Sequence, residues 1–412
     1  MPLVSLRRRL QSRILRAVRS SRFFPVAWID RLGDDDALAG TSLDATVLVY
    51  FPDALDSLYQ VTPWLPAFEE LHATLPVAIA TQDSRVSSRL RELTDIPVAT
   101  IARYGTLDDL LGRSEVKLAL YVSHAPRNFE ALRFTSLMHV YLGHGDSDKG
   151  VSASNQLKAY DYAFLPGEAA VERVRLRLAK YDVAEHTKIV GQPQNAPLTL
   201  VPNLDARVRV LYAPTWEGAQ PSVAYSSVLS HGRGLVDALL ADGRFRVDVR
   251  PHPLSGVTSG EYAVATRAIT DAVAAAGSGN RVIRADDETL EQSFARADVL
   301  ITDVSAVASA WLPTLRPLIV TTPAGEQAAE ADGGLLAAIP RLTATDAERA
   351  PEIVAEVIAA DDPSARAELV RSYLSAFTPD QSRARFVEAC VEVAAERDAE
   401  RARLRALGGG AL

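Results

Sequence analysis

Cysteine is almost missing from this sequence: Cys390 stands alone among 412 residues, so no disulfide can form within the chain. Phe386, Val387, Val391 and Val393 recur around it with an apolar period, which predicts a buried thiol in a reducing compartment and no thiol chemistry. Long apolar runs are missing too. None approaches the roughly 18 to 20 residues that a membrane-spanning helix needs, and the first residues hold no apolar core of signal-peptide type, which predicts a cytoplasmic protein. A net charge of −8 argues against nucleic acid as a partner. Acidic residues are absent before Asp30, and residues 1 to 31 carry eight arginines against one aspartate.

What is present is the composition of a soluble globular protein, 48% hydrophobic and 23% charged, long enough for two cores. In the basic start, Leu3, Leu6, Leu10, Ile14, Ala17 and Val18 recur at helical spacing. Arg7, Arg8, Arg9, Arg13, Arg16 and Arg19 occupy the rest of the circumference. Each arginine near an anionic surface contributes on the order of 1 kcal/mol, so residues 3–20 are expected to hold the protein peripherally on the inner face of the plasma membrane. Phe23, Phe24 and Trp28 would add interfacial anchors. The competing reading is a surface helix with its apolar stripe packed on the body.

Beyond this arm, short apolar runs alternate with helical patterns. Val47–Phe51, Val77–Ala80, Leu118–Val122, Val140–Leu142 and Tyr162–Leu165 read as strands, and the helices between them predict a parallel sheet. A polar stretch marked by Pro193, Pro197 and Pro202 follows. A second series comprises Val208–Tyr212, Phe245–Val249, Val282–Ile283, Val299–Thr302 and Leu318–Thr321, with a helix over Leu290–Ala297. A last helix is predicted over Gln381–Leu407. The expected organisation is a membrane-associating segment at 1–31, an acceptor domain at 32–195, a linker at 196–206, a nucleotide-donor domain at 207–375, and a C-terminal helix and tail at 376–412. The expected fold class is α/β of the GT-B type: two Rossmann-like domains with a cleft between them, an N-terminal amphipathic helix and a long C-terminal helix.

Ligands of open α/β sheets bind beyond the carboxyl ends of the strands, so the residues after each strand carry the chemistry. After Val140–Leu142 comes Gly143-His144-Gly145-Asp146-Ser147-Asp148-Lys149-Gly150. Its glycines permit a tight turn beside a ligand, and an imidazole titrating near ~6.5 is a natural proton acceptor. Asp146 or Asp148 would orient the ring, with Asp146, Ser147 and Lys149 toward an acceptor, Lys149 toward its phosphate. After Phe245–Val249 comes Arg250-Pro251-His252-Pro253, where two prolines fix the backbone around an imidazole suited to stabilising a departing phosphate. Asp303-Val304-Ser305-Ala306 leads from a strand into a helix, offering amides and a hydroxyl to phosphate. Ala213-Pro214-Thr215-Trp216 offers a second hydroxyl. His124, after Leu118–Val122, is a further acceptor-side candidate. Each loop also has a plain structural reading as a turn, a rigid corner, an N-cap or a core tryptophan. His72, His139, His186 and His231 read as structural or surface groups. Asp34-Asp35-Asp36 reads as a solvated loop, and no metal-ligand cluster or cofactor motif appears.

In order and spacing, the four loops over residues 138–325 resemble the signature of the CDP-glycerol glycerophosphotransferases of teichoic-acid synthesis: His-Gly-Thr, Ala-Pro-Thr, Arg-x-His-Pro and Asp-Tyr-Ser-Ser. The resemblance implies a GT-B enzyme that moves glycerol phosphate or a related polyol phosphate from a CDP-activated donor to a hydroxyl of a lipid-linked or polymeric envelope acceptor, releasing CMP. It places His144 as base and His252 on the donor phosphate, with Thr215, Arg250, Asp303, Ser305 and Ala306 as donor-binding positions. The sequence departs from the pattern at Asp146-Ser147, where the family has Thr-Pro, at Val304 and Ala306, which replace Tyr and the second Ser, and at Ala310, where the family often has an acid. A lost hydroxyl removes a hydrogen bond to a charged group worth roughly 1 to 3 kcal/mol, which suggests an altered donor or donor pose. Two other readings fit the same loops: a GT-B glycosyltransferase using a nucleotide sugar, and a non-catalytic nucleotide- or polymer-binding assembly factor.

Overall fold

The computed structural model describes residues 30–149, 153–218, 220–277, 279–325, 328, 334–375 and 378–407. The basic segment of residues 3–20 therefore lies outside the described residues. By compactness the chain divides into two units, Met1–Leu142 with Cys390–Leu412, and Gly143–Ala389.

Two parallel sheets organise the chain. The first is built from β1 (Val47–Phe51), β2 (Val77–Thr81), β3 (Val98–Thr100), β4 (Leu118–Tyr121), β5 (Met138–Tyr141), β6 (Tyr162–Leu165) and β7 (Thr187–Ile189), in the order β3-β2-β1-β4-β5-β6-β7. The second is built from β8 (Val208–Ala213), β9 (Phe245–Val249), β10 (Arg281–Val282), β11 (Val299–Thr302), β12 (Leu318–Thr321) and β13 (Arg341–Leu342), in the order β10-β9-β8-β11-β12-β13. The central strands are buried along their whole length, as in β1 and β11, because helices cover both faces of a parallel sheet. Alternate residues of β8 make this explicit. Leu211 and Ala213 join the core built on Trp311, Leu300 and Phe294, while Val210 and Tyr212 join the opposite core with Val247 and Ile301.

The helices that matter below are α1 (Asp34–Ala37), α2 (Glu168–Arg177), α3 (Leu290–Arg296), α4 (Ala306–Trp311) and α5 (Pro379–Ala406). A capping box opens α3, with Thr289 and Gln292 each closing the other's backbone amide. Along α5, Phe386 meets Phe164 edge-on at 6.2 Å, and further on Asp398 pairs with Lys117 at 2.5 Å. Cys390 is fully buried on this helix.

Asp34, Asp35 and Asp36 correct the expectation of a solvated loop, since they form α1 and are held by cations. Asp34 takes the Arg91 guanidinium and the Thr100 amide and hydroxyl at 3.1 and 3.0 Å. Asp35, with no exposed surface, pairs with Arg103 at 2.5 Å. The four remaining histidines are tied to backbone: His72 to Val77, His139 to Phe134, His186 to Asp161 and His231 to Leu342.

Candidate active site

The winding of the second sheet fixes where a ligand site belongs. The chain moves from β8 to β9 and β10 on one side and to β11, β12 and β13 on the other, so β8 and β11 flank the switch point. The loops after these two strands carry Thr215 and Asp303. Asp303 is fully buried, and its carboxylate accepts the amides of Thr215 (2.7 Å) and Ser227 (3.2 Å) and the hydroxyl of Thr321 (2.7 Å). Burial pushes this carboxyl up and the donors around it pull it back. Asp303, predicted among the donor-binding groups, thus ties together the floor of the site. Thr215 stands on that floor, with its carbonyl accepting from the Ser226 hydroxyl at 2.8 Å. Ser305 is the buried, extended N-cap of α4, its hydroxyl 3.4 Å from that of Thr302.

The loop after β5 is fastened against α4. Gly143 sits at a φ of 69°, a backbone region in which glycine is favoured. At Gly145 a methyl group would stand 2.6 Å from the Cβ of Ala306, so the two backbones approach as closely as side chains allow. The Ser309 hydroxyl donates to the Asp146 carbonyl at 2.6 Å. Asp146 and Asp148, one or other of which was expected to orient His144, are engaged by Arg173 of α2. The guanidinium, whose side chain is only 11% exposed, pairs with Asp146 and with Asp148 at 2.9 Å. Asp148 also accepts the Tyr373 hydroxyl at 2.8 Å, and that hydroxyl accepts the Leu335 amide. Ser147 is buried between them, while His144 itself is exposed at the tip of the turn.

His252 follows β9. Its Nδ1 accepts the Leu254 amide at 3.1 Å, so the neutral ring carries its proton on Nε2. Burial, and then the positive charges of Lys149 and His144, push the imidazole down to about 3, which keeps it neutral at physiological pH. Trp216 stacks on this ring at 6.4 Å and 25°. Next to it Glu217 accepts the amides of Gly256, Thr258 and Ser259 and the Thr258 hydroxyl, pinning the turn beyond His252. The Arg250 guanidinium leads elsewhere, donating to Ser293 of α3 at 3.2 Å. Lys149 reaches the Thr215 hydroxyl at 3.4 Å and lies 5.3 Å from the centre of the Tyr225 ring. Burial pushes its ammonium down to about 8, with Asp303 opposing that shift.

The structure therefore gathers His144, Lys149, Thr215, His252, Asp303, Ser305 and Ala306 within the unit Gly143–Ala389. His124 belongs to the other unit, stacked on Tyr141 at 4.0 Å and 5°. Arg173, Tyr373, Glu217 and Ser309 support the site without having been legible in the sequence. The one signal for Arg173 was the Asp146-Ser147-Asp148 pair of acids, which burial obliges to find a cation. Among the described residues no group of three or more His, Cys, Asp or Glu side chains is arranged to hold a metal ion, and no helix is long and apolar enough to cross a membrane.

Two doubly wound parallel sheets with a long C-terminal helix define a fold of the GT-B type. Residues 184–374 match the model of the family described as CDP-glycerol:poly(glycerophosphate) glycerophosphotransferase. Among solved structures it is similar to the wall teichoic acid polymerase TagF, at 14% identity and a TM-score of 0.56, covering 96% of this chain and 98% of that one. A glycosyltransferase from Rickettsia africae shares the fold at 12% identity and a TM-score of 0.53, covering 85% and 98%. So does a UDP-N-acetylglucosamine 2-epimerase from Listeria monocytogenes, at 10% identity and a TM-score of 0.53, covering 84% and 95%. No curated protein gives a significant sequence match.

Proposed function

We propose that this protein transfers glycerol phosphate, or a related polyol phosphate, from a CDP-activated donor to a hydroxyl of a lipid-linked or polymeric envelope acceptor and releases CMP. The observation that carries the reading is the pair of histidines: an exposed His144 on a fastened loop, and a neutral His252 whose proton is on Nε2. The family match over residues 184–374 supports the donor class, as does the TagF structure, one variant of which was soaked with CDPG.

In this mechanism His144 removes the proton of the acceptor hydroxyl, and the freed oxygen attacks the β-phosphorus of the donor. The bond from that phosphorus to the oxygen bridging to the α-phosphate breaks, and CMP leaves with the electron pair. His252 donates its Nε2 proton as a hydrogen bond to a donor phosphate oxygen, and the Thr215 and Ser305 hydroxyls line the same floor. The acceptor lies at the membrane, where the arginines of residues 3–20 would bring the enzyme peripherally onto the inner leaflet.

The test is CMP release and product mass with purified protein, CDP-glycerol and a lipid-linked acceptor in anionic or neutral vesicles. Transfer is expected with CDP-glycerol, faster on anionic vesicles, and lost by a factor on the order of 10² to 10⁴ in His144→Ala with donor affinity retained. Unchanged turnover in that variant would remove the base assignment. Transfer of sugar from UDP- or GDP-sugars, with CDP-glycerol inert, would select the glycosyltransferase reading.

A further inference from the structure

We infer that Lys149 is the cationic ligand of the donor's phosphates, the group through which the site selects a nucleoside diphosphate over a nucleoside. This assignment rests on the nucleotide-donor reading above and moves Lys149 from the acceptor side, where its place in the sequence had put it.

A lysine ammonium has three N–H donors. At Lys149 one contact reaches the Thr215 hydroxyl at 3.4 Å, and the Tyr225 ring lies 5.3 Å away. Among the described residues no carboxylate forms an ion pair with it. Asp303 balances its charge through space, yet the Asp303 oxygens are already engaged by Thr215, Ser227 and Thr321. A half-buried cation in that position is completed by an anion that brings its own acceptor oxygens, and a diphosphate does so.

The neighbouring imidazole reports the sign of the local field. Burial first, and then Lys149 and His144, disfavour a charged His252, while Glu217 opposes them. Positive charge from Lys149 and His144 at this place attracts a phosphate, and the Nε2 proton of His252 remains there to be donated. Thr215 connects the ammonium to Asp303, so the cation is fixed to the floor at the switch point of the second sheet and does not depend on a mobile stem.

The experiment is calorimetric titration, without acceptor, of wild type, Lys149→Met and Lys149→Arg with CDP, UDP and GDP and with the matching nucleosides. For whichever diphosphate wild type binds, Lys149→Met should weaken binding on the order of 10- to 100-fold and leave nucleoside binding alone. The groups facing the ammonium are Asp303, His252, Tyr225 and Thr215, and burial pushes His252 down to about 3, far from the alkaline range. Wild-type diphosphate affinity should therefore fall as pH rises through about 8, where the ammonium loses its proton. Lys149→Arg should keep affinity and lose that pH dependence, which guards against misfolding of the methionine variant. Equal diphosphate affinity in wild type and Lys149→Met overturns the assignment. So does an equal loss for nucleoside and diphosphate, or an effect confined to the acceptor KM. Binding of UDP or GDP in place of CDP, with the lysine effect intact, refutes the cytidine reading and upholds Lys149. Failure of all three nucleotides to bind wild type overturns both.

Discussion

At the scale of single residues, Asp303 explains how a carboxylate can be essential to a site without facing a ligand. Three donors from three segments converge on it, and each would be left buried without a partner if it were removed. An unsatisfied buried donor costs roughly 1 to 3 kcal/mol, so Asp303→Ala should destabilise the fold by about 3 to 5 kcal/mol, measurable by urea unfolding. Asp303→Asn keeps the shape but turns one oxygen into an NH2 facing amide donors, and should fall between. A loss under about 1 kcal/mol in the alanine variant would contradict the role given to this carboxylate. Its place after the strand was evident in the sequence. Its direction was not, because Ser227 and Thr321 are brought to it only by the packing of β12 and the turn before the next helix.

At the scale of elements, the His144 loop is held by packing, by one hydroxyl and by an ion-paired network. The packing contact makes a reciprocal prediction. Gly145→Ala drives a methyl group to within 2.6 Å of the Ala306 Cβ, so the loop must shift and turnover should fall at least about tenfold, since an ångström of misplacement costs on the order of a hundredfold. Ala306→Gly removes the obstructing methyl, and the double variant should recover most of the lost rate in the CMP-release assay. No recovery would mean the loop is set by something other than this contact. The same pair accounts for one departure from the family pattern, because position 306 faces the loop backbone and a small side chain fits there. Another departure, Asp146, has its counterpart in Arg173, whose charge meets both acids of the loop.

The central strands were legible element by element, with β1, β6, β9, β11 and β12 lying where the apolar runs predict. The strands β3, β7 and β13 were not. They are two or three residues long and lie at sheet edges, and so short a run carries no periodicity. Among site residues, the histidines, Thr215 and Ser305 could be located from strand ends, because position after a strand is a local property. Arg250, Asp146, Asp148 and Lys149 could be located but not aimed, since their partners Ser293, Arg173 and Thr215 are distant in sequence.

At the scale of the whole molecule, the two sheets repeat one winding, and the repetition extends to a detail. In the first sheet the switch point lies between β1 and β4, and there the Ser123 hydroxyl donates to Asp53 at 2.7 Å, joining the loops after those strands. In the second, Thr215 and Asp303 join the loops after β8 and β11 in the same manner. The family match is confined to residues 184–374, whereas the TagF likeness covers 96% of the chain. A sheet buried on both faces asks only for apolar strands and can drift far in sequence.

Cys390 carries a last consequence. Fully buried on α5 and with its thiol pushed far up by burial, it is shielded from reagents as long as that helix stays in place. The chain thus holds a built-in clock for its own opening. In native buffer, intact-mass measurement should show no alkylation, and in urea one label per chain, appearing in step with the loss of helical signal. Full labelling with the circular dichroism unchanged would instead reveal that α5 breathes independently of the rest. Because no other thiol competes, the rate of that single reaction translates directly into the frequency with which α5 leaves its bed.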